Sequence, residues 1–257
     1  MTDGRKYFTL SFDDGVQQDK TITELLKKHG IKATFNLNSG MFGLDGSIEF
    51  SGTKSVRGLP KTADKTWDGG GIADLSRIPE DEIRDVYDGF EIATHALKHE
   101  NLTVLSYDEC SANLTADRDN LRKYSDNVIA GHAFPFGACN STVEKALSDC
   151  GFLYARGVEN TEGDGRGRFR VPDRRWNFRP TCRQTDGDIE ELLDEFIALD
   201  AEDEDLMFYM WGHSYEIDFT VMKERKFLLT FERMLEKVSE ADDIIICDNR
   251  TLFESIM

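Results

Sequence analysis

The sequence is poor in cysteine, in positive charge and in long apolar stretches, and each shortage excludes a class of protein. The five cysteines are an odd number without Cys-x-x-Cys or Cys-x-x-His spacing, which argues against a disulfide framework and against a zinc finger. Lysine and arginine number 31 against 49 aspartates and glutamates, and the net charge of −18 disfavours binding to nucleic acid or anionic lipid through bulk charge. No apolar run approaches the roughly 20 residues that span a bilayer.

An apolar signal-peptide core is also missing from the first residues, which read MTDGRKYFTLSFDDG. We therefore expect a cytoplasmic protein that binds neither nucleic acid nor a membrane, whereas the oligomeric state stays open. Hydrophobic residues make up 39% of the 257 positions and include 17 phenylalanines, which is enough to bury a sizeable core. We interpret residues 1–257 as a single domain.

Short strand-like segments alternate with helix-like segments along most of the chain. Tyr7–Phe12 alternates apolar and polar residues, and Asp19–His29 has helical spacing and stops at Gly30. Further strands are predicted at 31–38, 90–94, 127–134, 152–156, 206–211 and 244–247, and further helices at 80–87, 106–124, 141–151, 189–199 and 226–238. This α/β pattern predicts a parallel sheet in a distorted (β/α)7-type barrel. Residues 43–78 and 157–187 are irregular and predict two long loop excursions.

An open, doubly wound sheet is the alternative fold. The Gly-x-Gly-x-x-Gly loop expected after its first strand is absent, however, and Asp13 and Asp14 stand there instead. In a β/α barrel the active site lies at the carboxyl ends of the strands. His95, the segment Pro135-Phe136-Gly137 and His213 also follow predicted strands, so we expect these groups to meet at one end of the barrel.

Two of the histidines have a spacing that suits a metal ion. His95 and His99 are four residues apart, which places two imidazoles on one face of a helical turn. An isolated pair of this kind is more often solvated or packed in a core, and Asp-Asp-Gly is also common turn chemistry. Two adjacent carboxylates at the end of a buried strand are nevertheless costly without a cation. One of them would complete a set of two histidines and one aspartate, as in hydrolytic zinc sites.

Three segments, in this order, resemble the motifs of the polysaccharide deacetylases (carbohydrate esterase family 4, with the chitooligosaccharide-deacetylase homology domain). FTLSFDDG resembles the first motif, HALKHENL the second and FPFG the third, and IKATFNLNSG resembles the strand between the first two. The resemblance extends from about residue 5 to about residue 250. It implies a distorted barrel and the metal-dependent removal of acetyl groups from sugars.

The resemblance also implies a role for each matching residue. Asp13 would be the catalytic base, the backbone N–H of Phe136 would help to hold the oxyanion, and His213 would be the general acid. One divalent metal ion, usually zinc in this family, would be held by Asp14, His95 and His99.

The sequence departs from the family pattern in places. Ala133 stands where the third motif has an arginine that orients the base, and Arg156 at the next strand end is our candidate for that role. The fifth motif reads WGHSYEID, in which Glu216 or Asp218 could form a hydrogen bond with His213 and hold it protonated. A solvated turn is the alternative interpretation of both acids.

Four aromatic residues could stack on sugar rings, namely Trp67, Trp176, Trp211 and Tyr215. We expect Trp176, which is also a loose equivalent of the fourth motif, and Tyr215 to bind substrate, and we expect Trp211 to pack in the core.

The sequence therefore predicts a metal-dependent hydrolase that removes N- or O-linked acetyl groups from a sugar or small glycoconjugate. A cytoplasmic location favours small acetylated sugars and imported oligosaccharides over chitin, xylan or peptidoglycan. One alternative is a hydrolase of the same scaffold that opens cyclic amides or imides without metal. Another is a carbohydrate-binding protein without catalysis. The sequence retains a base, a metal set and an acid, which favours an active enzyme.

Overall fold

The computed structural model describes residues 4–51, 70–217 and 226–257. The predictions that concern Trp67, Asp218 and the middle of the 43–78 excursion lie outside these ranges. Eleven strands fall within the described ranges: β1 Lys6–Asp13, β2 Thr34–Leu37, β3 Ser47–Ser51, β4 Gly70–Asp74, β5 Glu91–Thr94, β6 Gly131–Ala133, β7 Tyr154–Arg156, β8 Trp176–Phe178, β9 Cys182–Arg183, β10 Leu206–Gly212 and β11 Ile244–Ile246.

Nine of these strands form one parallel sheet that curls into a half-barrel. Its strand order is β8-β7-β6-β5-β2-β1-β10-β9, and β11 pairs with the beginning of β1. Neighbours around the curl therefore follow the chain order, and the sheet is left unpaired between β8 and β9 within the described chain. This arrangement confirms the distorted β/α barrel and differs from a doubly wound sheet, in which the strand order reverses. The two remaining strands, β3 and β4, form an antiparallel hairpin within the 43–78 excursion.

Eight helices complete the described fold: α1 Asp19–His29, α2 Ile83–Val86, α3 Tyr107–Leu121, α4 Ser141–Asp149, α5 Ile189–Ala198, α6 Ser214–Ile217, α7 Lys226–Ser239 and α8 Asn249–Ile256. None of the described helices combines the length and the apolar character that a membrane crossing requires.

Local sequence signals explain how these helices begin and end. Helix α1 has the predicted bounds, and Gly30 ends it with a φ of 68°, a conformation that favours glycine. Ser106 and Glu109 form a capping box at the start of α3. The Ser-x-x-Glu pattern that begins at Ser141 also predicts a capping box, and this prediction is wrong. Asn140 caps α4 instead, and its side chain accepts a hydrogen bond from the Val143 N–H at 3.0 Å.

Strand β1 is the centre of the molecule, and all eight of its residues are buried. Phe8 and Phe12 on one face pack against Phe208 and Phe35, with ring centroids 5.6 and 5.3 Å apart. The opposite face looks into the barrel, where Tyr7 belongs to a second buried cluster. A strand that is covered on both faces is typical of a β/α barrel.

The amino ends of the strands are closed by α8 and by the buried carboxylate of Glu91. Glu91 accepts hydrogen bonds from Thr34 Oγ1 at 2.6 Å, from the Arg250 N–H at 2.9 Å and from Tyr154 Oη at 3.0 Å. It thus joins β2, β5, β7 and α8. Burial, followed by the charge of Asp248, raises the pKa of Glu91 from 4.5 to about 7.

Glu91 makes the stability of the fold depend on pH. When folding raises the pKa of an acid, that acid contributes to the stability of the folded state. The contribution is complete at a pH below the unfolded pKa and is lost as the pH rises through the folded pKa. Between about pH 4.5 and pH 8 the free energy of unfolding should therefore fall by about 3 kcal/mol because of this group. Glu91→Gln should remove the loss, since the amide oxygen can accept from Thr34 and Arg250 while the amide nitrogen donates to the Tyr154 hydroxyl. Denaturant unfolding across this pH range tests the prediction, with Glu24→Gln on the exposed face of α1 as the control. Equal pH slopes for wild type and Glu91→Gln would contradict it.

Candidate active site

The carboxyl ends of β1, β5 and β10 bring the predicted aspartates and histidines together in one cleft of about 870 Å³. Asp13 and Asp14 come from the end of β1, His95 and His99 follow β5, and His213 follows β10. Residues that are up to 200 positions apart in the chain thereby meet at the end of the barrel where catalytic groups are expected.

Three imidazoles lie close to the Asp14 carboxylate. Its Oδ1 lies 3.9 Å from His95 Nε2 and 3.7 Å from His99 Nε2, and its Oδ2 lies 3.8 Å from His213 Nε2. The ligand atoms that Asp14, His95 and His99 offer lie within 4.8 Å of one another, which is close enough for one cation to contact all three.

The environment of His95 fits a metal ligand. Its Nδ1–H donates to the backbone oxygen of Ala133 at 2.7 Å, which leaves the Nε2 lone pair directed towards Asp14. Burial lowers the pKa of His95 to about 4, although Asp13 acts in the opposite direction. The imidazole is therefore neutral near pH 7, which is the form that binds metal.

Buried polar groups hold the turn that carries His95. The Asn38 side-chain amide donates to the backbone oxygen of Ala96 at 2.8 Å and also to that of His95. The Asp117 carboxylate accepts from the His95 N–H at 3.2 Å and from the Ser39 N–H at 2.9 Å. The orientation of the His95 ring is thus fixed by hydrogen bonds to the imidazole and to the backbone of the residue.

Backbone conformation is unusual at this end of the barrel. Six described residues other than glycine have a positive φ, and four of them lie in the three motifs. Those four are Asp14, Ala96, His99 and Phe136, with φ values of 88°, 59°, 57° and 60°. Such conformations cost energy and persist only where the surrounding structure enforces them, and they concentrate at functional sites.

Asp13 is paired with Arg156, and both side chains are almost completely buried. The guanidinium of Arg156 donates to both carboxylate oxygens, and Asn36 Nδ2 donates to Oδ1 at 2.8 Å. Burial raises the pKa of Asp13, but the positive charge of Arg156 and the nearby histidines bring it below its usual value. Asp13 is therefore an ionised carboxylate near pH 7.

The register of the sheet explains how Arg156 reaches Asp13. Ala133, at the motif position where an arginine is expected, pairs directly with Arg156 on the neighbouring strand β7. Arg156 therefore stands one strand away from the expected position, at the same height in the barrel.

His213 is held by a second buried carboxylate. Its Nδ1 lies 3.3 Å from Glu216 Oε1, and Glu216 also pairs with Arg183 and accepts from Gln184 Nε2 at 2.7 Å. Burial lowers the pKa of His213, but the carboxylates of Glu216, Asp14 and Asp13 together raise the pKa above the usual value. Gly212 leaves room for this network, because a Cβ there would lie 2.1 Å from Gln184 Cδ.

The aromatic residues are divided between the cleft and the core. Phe136 and Tyr215 line the cleft, and their rings lie 4.6 Å from His99 and 5.0 Å from His213, centroid to centroid. Trp211 lines the cleft too, but it is only 6% exposed and belongs to a core cluster, as expected.

Trp211 and Trp176 lie at different positions relative to the cleft. The Arg156 and Arg183 guanidinium groups both lie over the Trp211 ring, at 4.6 and 4.9 Å from its centroid. Trp176 is not among the residues that line the cleft, and it packs against a core cluster that includes Phe134.

Arg77 and Asn36 are two of the site residues that the sequence reasoning missed. Asn36 pairs in register with Asp13, and a polar residue near the end of a buried strand is a signal that could have identified it. Arg77 lies in the 43–78 excursion, where the sequence has no periodicity, and its Nη1 lies 3.2 Å from Asp14 Oδ1.

A second group with the composition of a metal site lies between α1 and α7. It consists of His29, Glu232 and Glu236. The Glu232 carboxylate already pairs with Lys28 Nζ at 2.5 Å, so part of the charge that would attract a cation is neutralised.

Breaking the ion pair of Asp13 should destabilise the fold. Arg156→Gln leaves a buried carboxylate without its counter-charge, and such changes cost about 3–5 kcal/mol. Thermal or denaturant unfolding at pH 7 should show this loss, and Asp13→Asn combined with Arg156→Gln should cost less than the sum of the two changes. Arg179→Gln is the control, since Arg179 forms half-exposed ion pairs with Glu159 and Glu162. An Arg156→Gln variant as stable as the wild type would refute the prediction.

Solved structures of carbohydrate esterases share this fold at low sequence identity. A family 4 carbohydrate esterase from Streptomyces lividans is 12% identical over 93% of this chain and 90% of its own, with a TM-score of 0.52. A peptidoglycan deacetylase from Bacillus subtilis is 16% identical over 99% of this chain and 93% of its own, with a TM-score of 0.50. A family 4 pseudoenzyme from Bacillus anthracis is 15% identical over 98% of this chain and 66% of its own, with a TM-score of 0.51.

The sequence itself matches one family model. No match is found among curated proteins. The model for polysaccharide deacetylases matches residues 1–155, more than half of the chain. The matched range contains the two aspartates, both histidines of the second motif and Phe136, and it ends just before Arg156. The chain therefore belongs to the polysaccharide deacetylase family.

Proposed function

We propose that this protein is a metal-dependent hydrolase that removes N- or O-linked acetyl groups from a sugar or small glycoconjugate. One observation carries the proposal: an ionised aspartate, a set of two neutral imidazoles and one carboxylate, and a histidine with a raised pKa face the same cleft. A base, a cation site and an acid are the three components that acetyl transfer to water requires.

Asp14, His95 and His99 would hold the metal, and zinc suits two imidazoles and a carboxylate. Bound there, a divalent ion supplies Lewis acidity, which lowers the pKa of a water ligand and polarises the acetyl carbonyl.

The protein's own groups supply the proton transfers. Asp13 is adjacent to Asp14 in the chain and is kept ionised by Arg156, so it can accept a proton from the attacking water. His213 lines the same cleft, and the nearby carboxylates, Glu216 first, raise its pKa and favour the protonated form, which can donate a proton to the departing nitrogen or oxygen. The backbone N–H of Phe136 would stabilise the negative charge that develops on the acetyl oxygen.

The cleft size suits a small substrate. A volume of about 870 Å³ is in the range of pockets that enclose small molecules, and Phe136 and Tyr215 offer aromatic surface to a sugar ring. We propose a small acetylated sugar or oligosaccharide as the substrate and the cytoplasm as its location.

One observation favours a second candidate function. Arg77 pairs with Asp14, so the aspartate already has a positive partner without a metal ion. A metal-free hydrolase of another C–N bond, such as a cyclic amide, would keep its activity in the presence of a chelator. A purely carbohydrate-binding protein would bind acetylated sugars without releasing acetate.

The metal site can be tested by measuring the metal content and the activity of the same samples. Wild type reconstituted with zinc should hold about one ion per chain by plasma mass spectrometry and should release acetate from acetylated sugars. His95→Ala should lose both properties, because it removes a ligand. Asp13→Asn is the matched control: it should keep the metal and lose about 10²–10⁴ in rate as a base deletion. Stoichiometric zinc in His95→Ala would exclude His95 as a metal ligand. Undiminished activity in Asp13→Asn would exclude Asp13 as the catalytic base.

The acid can be tested through pH dependence. A general acid must be protonated, so activity should fall as the pH rises above the pKa of His213. Glu216→Gln removes the charge that raises this pKa, and the alkaline limb of kcat/KM should therefore move to lower pH. Glu159→Gln, a cleft residue that pairs with Arg179, serves as the control. An alkaline limb that stays in place in Glu216→Gln would argue against this pair.

A further inference from the structure

Arg77 forms a direct ion pair with the aspartate of the proposed metal set. Its Nη1 lies 3.2 Å from Asp14 Oδ1, and the same nitrogen donates a hydrogen bond to the backbone oxygen of Asp14. The two side chains are only 11% and 13% exposed, so solvent screens this pair weakly.

The backbone around Arg77 is fixed to the turn that carries the two aspartates. The Ile78 N–H donates to the backbone oxygen of Gly15 at 3.0 Å, and the Gln17 N–H donates to that of Ser76 at 2.9 Å. The Gln17 side chain also donates to the backbone oxygen of Arg77 at 2.9 Å. Arg77 is thus anchored on both sides, and its guanidinium is held beside Asp14.

The ion pair uses the oxygen that the histidines face. Asp14 Oδ1 lies 3.9 Å from His95 Nε2 and 3.7 Å from His99 Nε2, and the same carboxylate oxygen lies 3.2 Å from Arg77 Nη1. A divalent ion held by these three residues would have a guanidinium beside one of its ligands. Like charges at such short range repel strongly where solvent is excluded.

We propose that Arg77 is a built-in competitor of the metal ion for Asp14. The guanidinium neutralises the aspartate while the site is without metal and weakens the binding of a divalent cation when one enters. The affinity of the site is therefore lower than an aspartate and two histidines alone would give. This inference rests on the proposed function, since it concerns the same metal set.

Zinc affinity measured by competition with a chromophoric chelator tests the proposal on the metal-stripped full-length protein. Arg77→Gln and Arg77→Met remove the charge and should bind zinc at least about 10-fold more tightly than wild type. Arg77→Lys keeps the charge and should stay within about threefold of wild type. Arg84→Gln is the matched control, since Arg84 pairs with Asp126 on the exposed surface of α2, and its zinc affinity should be unchanged.

Thermal unfolding gives a second readout that does not depend on activity. Without zinc, Arg77→Gln should melt below wild type, because Asp14 loses its counter-charge. Saturating zinc should then raise the Tm of Arg77→Gln by more than it raises the Tm of wild type. Arg77→Gln also retains an amide that can donate to the Asp14 backbone oxygen, so the comparison does not depend on Arg77→Met folding.

The outcomes separate this inference from the proposed function. Zinc binding by wild type with equal or weaker affinity in both neutral variants would overturn the role of Arg77 and leave the metal site in place. No zinc binding by any of the proteins would overturn the metal site and this inference together. Zinc binding by Arg77→Gln but not by wild type would support the inference in its strongest form.

Discussion

Asp13 and Asp14 are consecutive carboxylates at the end of a strand that is buried along its whole length, and the architecture of the site follows from the need to balance their charge. Each receives a cation from a different part of the chain: Arg156 comes from β7 and Arg77 from the 43–78 excursion. The imidazoles gather around the same pair. In a molecule with a net charge of −18, two arginines and three histidines thus lie around this pair, because two largely buried negative charges require balance there.

Much of this arrangement could be predicted from the sequence, because short motifs and sheet topology combine. A parallel β/α barrel brings the residues that follow its strands to one end, so Asp13, His95 and His213 could be placed together without knowledge of their contacts. The position of Arg156 could be anticipated for a related reason, since it ends the strand next to the one that carries Ala133. The strand alternation and the capping signals of α1 and α3 likewise depend on neighbours in sequence.

Other features depend on contacts that no local pattern encodes. Arg77 reaches Asp14 from 63 residues further along the chain, through a segment without periodicity. The pattern Ser-x-x-Glu at residue 141 suggests a capping box, but Asn140 precedes it and caps the helix instead. Trp176 is an aromatic residue of the kind that binds sugar rings. It lies on β8 at the edge of the sheet, however, and packs against a core cluster. In each case tertiary packing decides between local alternatives that the sequence leaves open.

The Trp211 ring has a consequence for the arrangement of the site. One guanidinium that lies over it holds Asp13, and the other holds Glu216, which in turn holds His213. The indole therefore contacts the cation of both ion pairs. Asp13 and His213, which lie at the ends of different strands, thus share one rigid aromatic support.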